Sequence, residues 1–154
     1  MITRFLHSAV NVFQGFRKVG WFVTRPKCVG VHAIPLTIEG KIVLVTLSYA
    51  KGWRLPGGGQ NPRENSLTAI LRELREEIGM TSHQIAEHVS GFRHRPDYRD
   101  GTASLFVVRG VRYRPRWSFE VKEVGEFDVH DLPADTAAIT RQLLTLAEEH
   151  LRAS

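Results

Sequence analysis

The sequence predicts a single mixed α+β domain, and three patterns carry that prediction. Runs of β-branched and other apolar residues come in pairs around turn signals, at 28–49 and again at 84–111. Between them a glycine-rich turn opens an amphipathic helix, GGQNPRENSLTAILRELREEIGM over 58–80. A second amphipathic helix closes the chain. The order helix, hairpin, short strand, helix, hairpin, strand, helix lacks the βαβ alternation of a doubly wound parallel sheet. With 154 residues and 42% hydrophobic content, the chain suffices for one domain with a sizeable core and not for two.

Residues 1–23 place Ile2, Phe5, Leu6, Ala9, Phe13 and Phe16 near one face of a helix. Arg4, His7, Asn11, Gln14 and Arg17 interrupt any run long enough to cross a bilayer, and no small-residue cleavage site follows a clean apolar core. Neither a transmembrane span nor a signal peptide is expected. We read residues 1–27 as a helical extension that packs on the domain or on a second subunit, giving a homodimer; peripheral membrane contact is the other use of a basic amphipathic helix. The domain proper runs from 28 to 154. A single cysteine, Cys28, excludes an internal disulfide and a cysteine zinc site, and points to a reducing, cytoplasmic setting. The net charge of +5 favours polyanionic partners such as nucleotides or RNA, although a basic balance also serves solubility.

CVGVHAIPLTIEGKIVLVTLSY, residues 28–49, is two strand-like runs around the turn signal Glu39-Gly40, with Pro35 suggesting an edge or a bulge in the first. Trp53-Arg54-Leu55 is a short extended piece stopped by Pro56 and by Gly57 to Gly59, glycines that let backbone approach closely and turn. No Gly-Lys-Ser/Thr follows, which excludes a P-loop. In the next segment Leu67, Ile70, Leu71, Leu74 and Ile78 form an apolar stripe. Asn65 or Ser66 can cap the start, and Gly79 suits the left-handed position past the end. Glu73, Glu76 and Glu77 fall within an arc of roughly 100° away from the stripe. Like charges at that spacing repel, and Arg72 and Arg75 offset only part of it. Hard oxygen ligands converging on one face suit Mg²⁺, with Mn²⁺ as an alternative. A solvated helix face is the plain alternative reading.

Gln84 to His94 and Thr102 to Val111 read as strands around the cationic tip RHRPDYRDG, where Tyr98 could stack on a base and Arg93, Arg95 and Arg99 could meet phosphate. His94 is read as a surface imidazole, lacking partners at metal spacing. Glu120 to Pro133 returns as a strand. Ala134 to Arg152 is the last helix, with Asp135 or Thr136 as cap and Ile139, Leu143, Leu146, Ala147 and Leu151 inward.

The segment from Gly58 to Met80 resembles the signature of the Nudix hydrolase family: a glycine, a glutamate, then Arg-Glu-aliphatic-x-Glu-Glu-x-Gly-aliphatic. Gly58, Glu64, Arg72, Glu73, Leu74, Glu76, Glu77 and Gly79 meet it, and Met80 is a soft variant at the final aliphatic position. The resemblance implies the Nudix fold, a mixed sheet sandwiched between helices, over about 28–150. It also implies hydrolysis of a diphosphate linkage in a nucleoside diphosphate derivative. Mg²⁺ would be held by Glu73, Glu76 and Glu77 with the Gly58 carbonyl, and Glu73, then Glu77 or Glu123, is the candidate base. Arg72 would orient the carboxylates and Glu64 would brace the loop. In some members a glutamate near the returning strand joins the site; Glu120 and Glu123 are the candidates, and Glu123 is placed in the metal set. Arg54, Phe92 and Tyr98, with Phe106, are the substrate-binding candidates. Pro96 is placed as in some ADP-ribose pyrophosphatases, and Tyr98 near a position seen in dinucleoside polyphosphate hydrolases; the two conflict and neither selects a substrate. The rival from another class is a Nudix-like module that binds a nucleotide or RNA without hydrolysing it.

Overall fold

The computed structural model describes residues 29–94 and 101–153. The expected N-terminal helix over 1–27, Cys28 and the hairpin tip with Tyr98 lie outside the described residues. The elements are β1 (Val29–Thr37), β2 (Ile42–Leu47), β3 (Ala50–Arg54), β4 (Gly57–Gly59), α1 (Ser66–Glu77), β5 (Met80–Ser82), β6 (Ile85–His94), β7 (Gly101–Tyr113), β8 (Val121–Phe127), α2 (Ala138–Leu146) and α3 (Glu148–Arg152). No helix among the described residues is long and apolar enough to cross a membrane.

β1 runs parallel to β7 from Val29 opposite Thr102 to Leu36 opposite Arg109. On its other side β1 pairs antiparallel with β4 and then, at Leu36 opposite Ile42, with β2. β2 carries β8 and β3, and β7 carries β6 and β5. Pro35 therefore lies in a central strand, not at an edge. The Ala33 and Thr37 amides donate to Pro56 and Lys41 carbonyls on that side, so Pro35, between them, puts its missing N–H where β1 changes partner. The ladder loses little. A register shift follows between Leu36 and Thr37.

Side chains alternate across the sheet and build two cores. Val31, Ala33, Val43, Val45, Phe106 and Val108 face α1, meeting Ile70, Leu74 and Ile78. Ile34, Leu36, Ile42, Leu44, Leu105 and Val107 face α2, meeting Leu143, Leu144 and Ala147. The result is the expected mixed sheet between helices, and several details differ. Leu67, counted in the helix stripe, is 42% exposed, while Ala69 takes a buried place. The Gly57–Gly59 turn is a strand, and Met80–Ser82 adds a short strand against β7. The last helix starts at Ala138 because 135–137 is held beside β3: Trp53 N donates to Asp135 O, and Ala137 N to Trp53 O at 3.0 Å. Thr136 spends its hydroxyl on Pro133 O at 2.7 Å. The helix divides at Ala147, which leaves Leu146 exposed and not inward.

Candidate active site

Glycines bring the site together. Asn65 caps α1, its side chain accepting from Thr68 N at 2.8 Å. Gly79 ends the helix at φ +73°, where an added Cβ would stand 1.9 Å from Arg114 O. β4 pairs with β1 through Gly30 opposite Gly59, Val31 opposite Gly58 and His32 opposite Gly57. A Cβ on Gly58 would lie 2.6 Å from the Glu73 carboxyl, and one on Gly57 2.1 Å from Val31 O and 2.8 Å from His32 Nδ1. Only bare backbone fits between the helix carboxylates on one side and His32 on the other.

This close approach buries the acids. Sequence periodicity sets Glu73 and Glu77 on the face away from the core, yet they are 8% and 7% exposed, because β4 closes over that face. Gly57 N donates to Glu77 Oε2 at 3.0 Å. The Arg72 guanidinium donates to Glu64 Oε1 at 2.9 Å and Oε2 at 3.1 Å, to Glu73 Oε1 at 2.7 Å and to the Gly59 carbonyl at 2.8 Å. Glu76, half-exposed, stands 3.6 Å from the same group. Asn61 N donates to Glu64 at 2.9 Å, so Glu64 ties the loop to Arg72, which in turn holds Glu73. The Arg72 hydrogen bond, helped by Asn61, holds the Glu64 carboxyl below its ordinary value, and Glu64 followed by Glu73 raises Arg72 further.

The donor chemistry fits a hard divalent cation. Carboxylates from successive turns of α1 lie against glycine backbone, and such a cation needs few protein ligands when waters and phosphate oxygens complete its shell. The acids are not pre-assembled, however: among the described residues no three His, Cys, Asp or Glu side chains form a ligand cluster as they stand. Arg72 holds Glu73 and Gly57 holds Glu77 in the arrangement seen.

Glu123 falls on the sheet face opposite Val121 and Val124. It pairs with Thr46, which shares the α2-facing side of Ile42 and Leu44, whereas Val121 and Val124 pair with Leu47 and Val45 on the α1 side. The irregularity at Lys122 puts two residues three apart on one face and sends Glu123 to the other. Glu120 stands just before β8. Its carbonyl accepts from Ser48 N at 2.8 Å. The next residue, Tyr49, has its hydroxyl pushed up to about 12 by burial first and then by Glu120, Glu77 and Glu73.

Arg54 pairs with Val45 and so shares the α1 side. Its Nε is buried with no hydrogen-bond partner, one of two such nitrogens among the described residues. Phe92 lies on the α2 side, its ring 6.0 Å from that of His32. Phe106 is 3% exposed in the core and faces α1 as packing, 5.2 Å from the His88 ring. His32 and Tyr49 escaped the sequence reading: a lone histidine in a strand and a lone tyrosine in a turn carry no pattern.

The NUDIX domain description matches residues 26–147. The chain is 33% identical over 82 residues to an RNA pyrophosphohydrolase of Acidiphilium cryptum (strain JF-5), covering 53% of this chain and 49% of that protein. It is 36% identical over 70 residues to the asymmetrical bis(5'-nucleosyl)-tetraphosphatase of Mus musculus, covering 44% and 47%. The chain thus matches about half the length of these curated relatives. The solved structure of a MutT NUDIX hydrolase from Burkholderia pseudomallei superposes with a TM-score of 0.67 at 25% identity, covering 78% of this chain and 97% of that one.

Proposed function

Because the chain belongs to the Nudix family, whose members generally use a divalent metal, we propose that it hydrolyses a diphosphate linkage in a nucleoside diphosphate derivative. The observation that carries this reading is the Arg72 clamp, which fixes Glu64 and Glu73 against the glycine strand at 2.7–3.1 Å while Glu77 is held by the Gly57 amide. Repelling acids are kept buried and in register beside bare backbone, an arrangement of little use to packing alone.

Glu73, Glu76 and Glu77, with the Gly58 carbonyl, would hold the cation, Mg²⁺ in our reading with Mn²⁺ able to replace it. When bound, such an ion neutralises phosphate charge and acidifies an attacking water. Glu73 would accept a proton from an attacking water, with Glu77 as the next candidate; Arg72 and Glu64 would position them. Arg54 binds a substrate phosphate, which would relieve its unpaired Nε. Phe92 seats a base together with His32, and Tyr98, outside the described residues, belongs to the same set. Residues 1–27 form an accessory extension to a domain over 28–154, one able to support a homodimer; the setting is cytoplasmic.

A second reading, a module that binds nucleotide without turnover, draws on the engagement of Glu73 by Arg72 and of Glu77 by the Gly57 amide. A nucleotide panel with and without Mg²⁺ and Mn²⁺, with products identified by mass spectrometry, separates the two. We expect metal-dependent products from the wild type and a loss of about a thousandfold or more in Glu76→Gln and Glu77→Gln, each with an unchanged circular dichroism spectrum. Full activity in either variant overturns the assignment of these acids; no product from the wild type leaves the binding module.

A further inference from the structure

We propose that Thr140 is a positioning residue for substrate binding: its hydroxyl joins the two peptide groups that flank Arg54 and so aims the Arg54 guanidinium at the phosphate side of the sheet. The inference rests on the reading of Arg54 as a phosphate ligand and adds the residue that holds it in place.

A strand needs hydrogen-bond partners along both edges, and β3 has a neighbouring strand, β2, on one side only. Arg54 pairs inward with Val45. Outward, Trp53 N donates to Asp135 O at 3.3 Å and Ala137 N to Trp53 O at 3.0 Å, an approach so close that a Cβ on Gly52 would stand 2.3 Å from Asp135 O. That backbone contact stops at Ala137, where α2 begins. The next outward group of β3, the Leu55 amide, donates instead to Thr140 Oγ1 at 3.3 Å, and the same hydroxyl donates to Trp53 O at 3.4 Å. Thr140 is 1% exposed, so bulk water does not compete for either bond. Trp53 O and Leu55 N belong to the rigid peptide groups on either side of the Arg54 Cα, and one buried oxygen fixes both.

The anchor bears on the site because of what lies on the other face. Trp53 faces α2, its ring packed edge to face on Phe127 at 4.8 Å, so Arg54 leaves the strand on the α1 side, with the carboxylates. Three residues on, the Gly57 amide holds Glu77 Oε2 at 3.0 Å, and Pro56 O accepts from Ala33 N at 3.0 Å. Four residues thus touch α2, β1 and a carboxylate of α1 in turn. Arg54 Nε is buried with no hydrogen-bond partner among the described residues, a donor that a substrate phosphate would satisfy. Keeping such a group out of water costs free energy, and a backbone fixed on both edges opposes its return to solvent. The Thr140 tether runs from α2 and is separate from the Arg72 clamp on α1.

The test uses the full chain with Thr140→Val, which keeps the shape and removes the hydroxyl, Thr140→Ser, which keeps the hydroxyl, Arg54→Gln, and the pair Thr140→Val/Arg54→Gln. kcat and KM are read on the best substrate of the nucleotide panel, and affinity for α,β-methylene-ADP with Mg²⁺ by calorimetry, so binding is decided even without turnover. We expect Thr140→Val to raise KM and weaken that affinity about tenfold at nearly unchanged kcat, as for a contact made equally before and during reaction. Thr140→Ser should recover most of the loss. In the double variant Thr140→Val should add nothing to Arg54→Gln, because both remove one contact. Thr140→Ala removes the same hydroxyl and gives the reading if the valine variant does not fold. Wild-type KM without the hydroxyl, losses that multiply in the double variant, or Thr140→Ser as impaired as Thr140→Val overturns the inference and leaves a strand-edge bond that affects Tm alone. Arg54→Gln with wild-type KM and affinity overturns the phosphate ligand and the inference with it. A wild type that binds the analogue but turns nothing over overturns the hydrolase reading and leaves the Thr140 assignment standing; one that does neither overturns both.

Discussion

Ion pairs at the two ends of the sheet are built from the same side-chain chemistry and do different work. At the β4 end Arg72 is three-quarters buried and donates to two carboxylates and a carbonyl, each at 3.1 Å or less. At the β1–β2 turn Lys41 meets Asp128 at 3.6 Å, with both side chains about half exposed. Exposed pairs gain little against water and lose side-chain freedom. A partly buried guanidinium with several acceptors is different, because removing it strands carboxylates that cannot readily rehydrate. Charge at the glycine end is organised for position; charge at the turn end is solvated.

Removing the centre of the first system is expected to have the largest effect on that comparison. Arg72→Ala should lower stability by about 2 kcal/mol, a figure reduced from the fully buried case for the exposed quarter. Misplacing Glu73 by even an ångström should also cut kcat by about a hundredfold. Arg72→Lys keeps the charge but cannot reach three acceptors with one ammonium, so it should recover part of the stability and little of the rate. Urea unfolding and steady-state kinetics on both variants decide the matter, and a Lys variant with wild-type kcat would show that charge alone suffices.

Glu64 sharpens the comparison through pH. Its carboxyl is held below the ordinary value of 4.5 chiefly by Arg72. A depressed carboxylate contributes stability that is fully present above the unfolded-state value and is lost as pH falls through the folded-state value. The stability gap between wild type and Glu64→Gln, about 1.5 kcal/mol near neutrality, should therefore hold down to about pH 5 and close below 4.5. Urea midpoints across that range measure it, and a gap that stays constant with pH would mean that the ionised carboxylate of Glu64 is not what the substitution removes.

These contacts were only partly legible in the sequence. The hairpin over 29–47, α1 and the β6–β7 pair each announce themselves through periodicity and turn residues, and the spacing of Glu64, Arg72, Glu73, Glu76 and Glu77 is written into one segment. Burial of Glu73 and Glu77 is not, because the strand that covers them is three glycines, a sequence that reads as a loop. Nor is the sheet face on which Glu123 falls, which turns on one irregular pairing at Lys122. Pro35 misleads in the opposite direction, since a proline in a central strand is tolerated only where the neighbouring ladder changes hands. Each gap is a property of two segments meeting, and no single segment encodes it.

The smallest expected effect lies at the turn. Asp128 also accepts from His130 N at 2.9 Å, and that backbone bond comes before Lys41 among the causes that hold its carboxyl low. Lys41 can leave without stranding a buried charge, and its backbone keeps the turn through Thr37 N to Lys41 O at 2.9 Å and Lys41 N to Thr37 Oγ1 at 3.1 Å. Lys41→Ala should therefore leave Tm, kcat and KM unchanged within error, at low salt as at high. A drop in Tm that vanishes in 0.5 M salt, roughly where screening erases exposed pairs, would show that the solvated end of the sheet also holds charge in place.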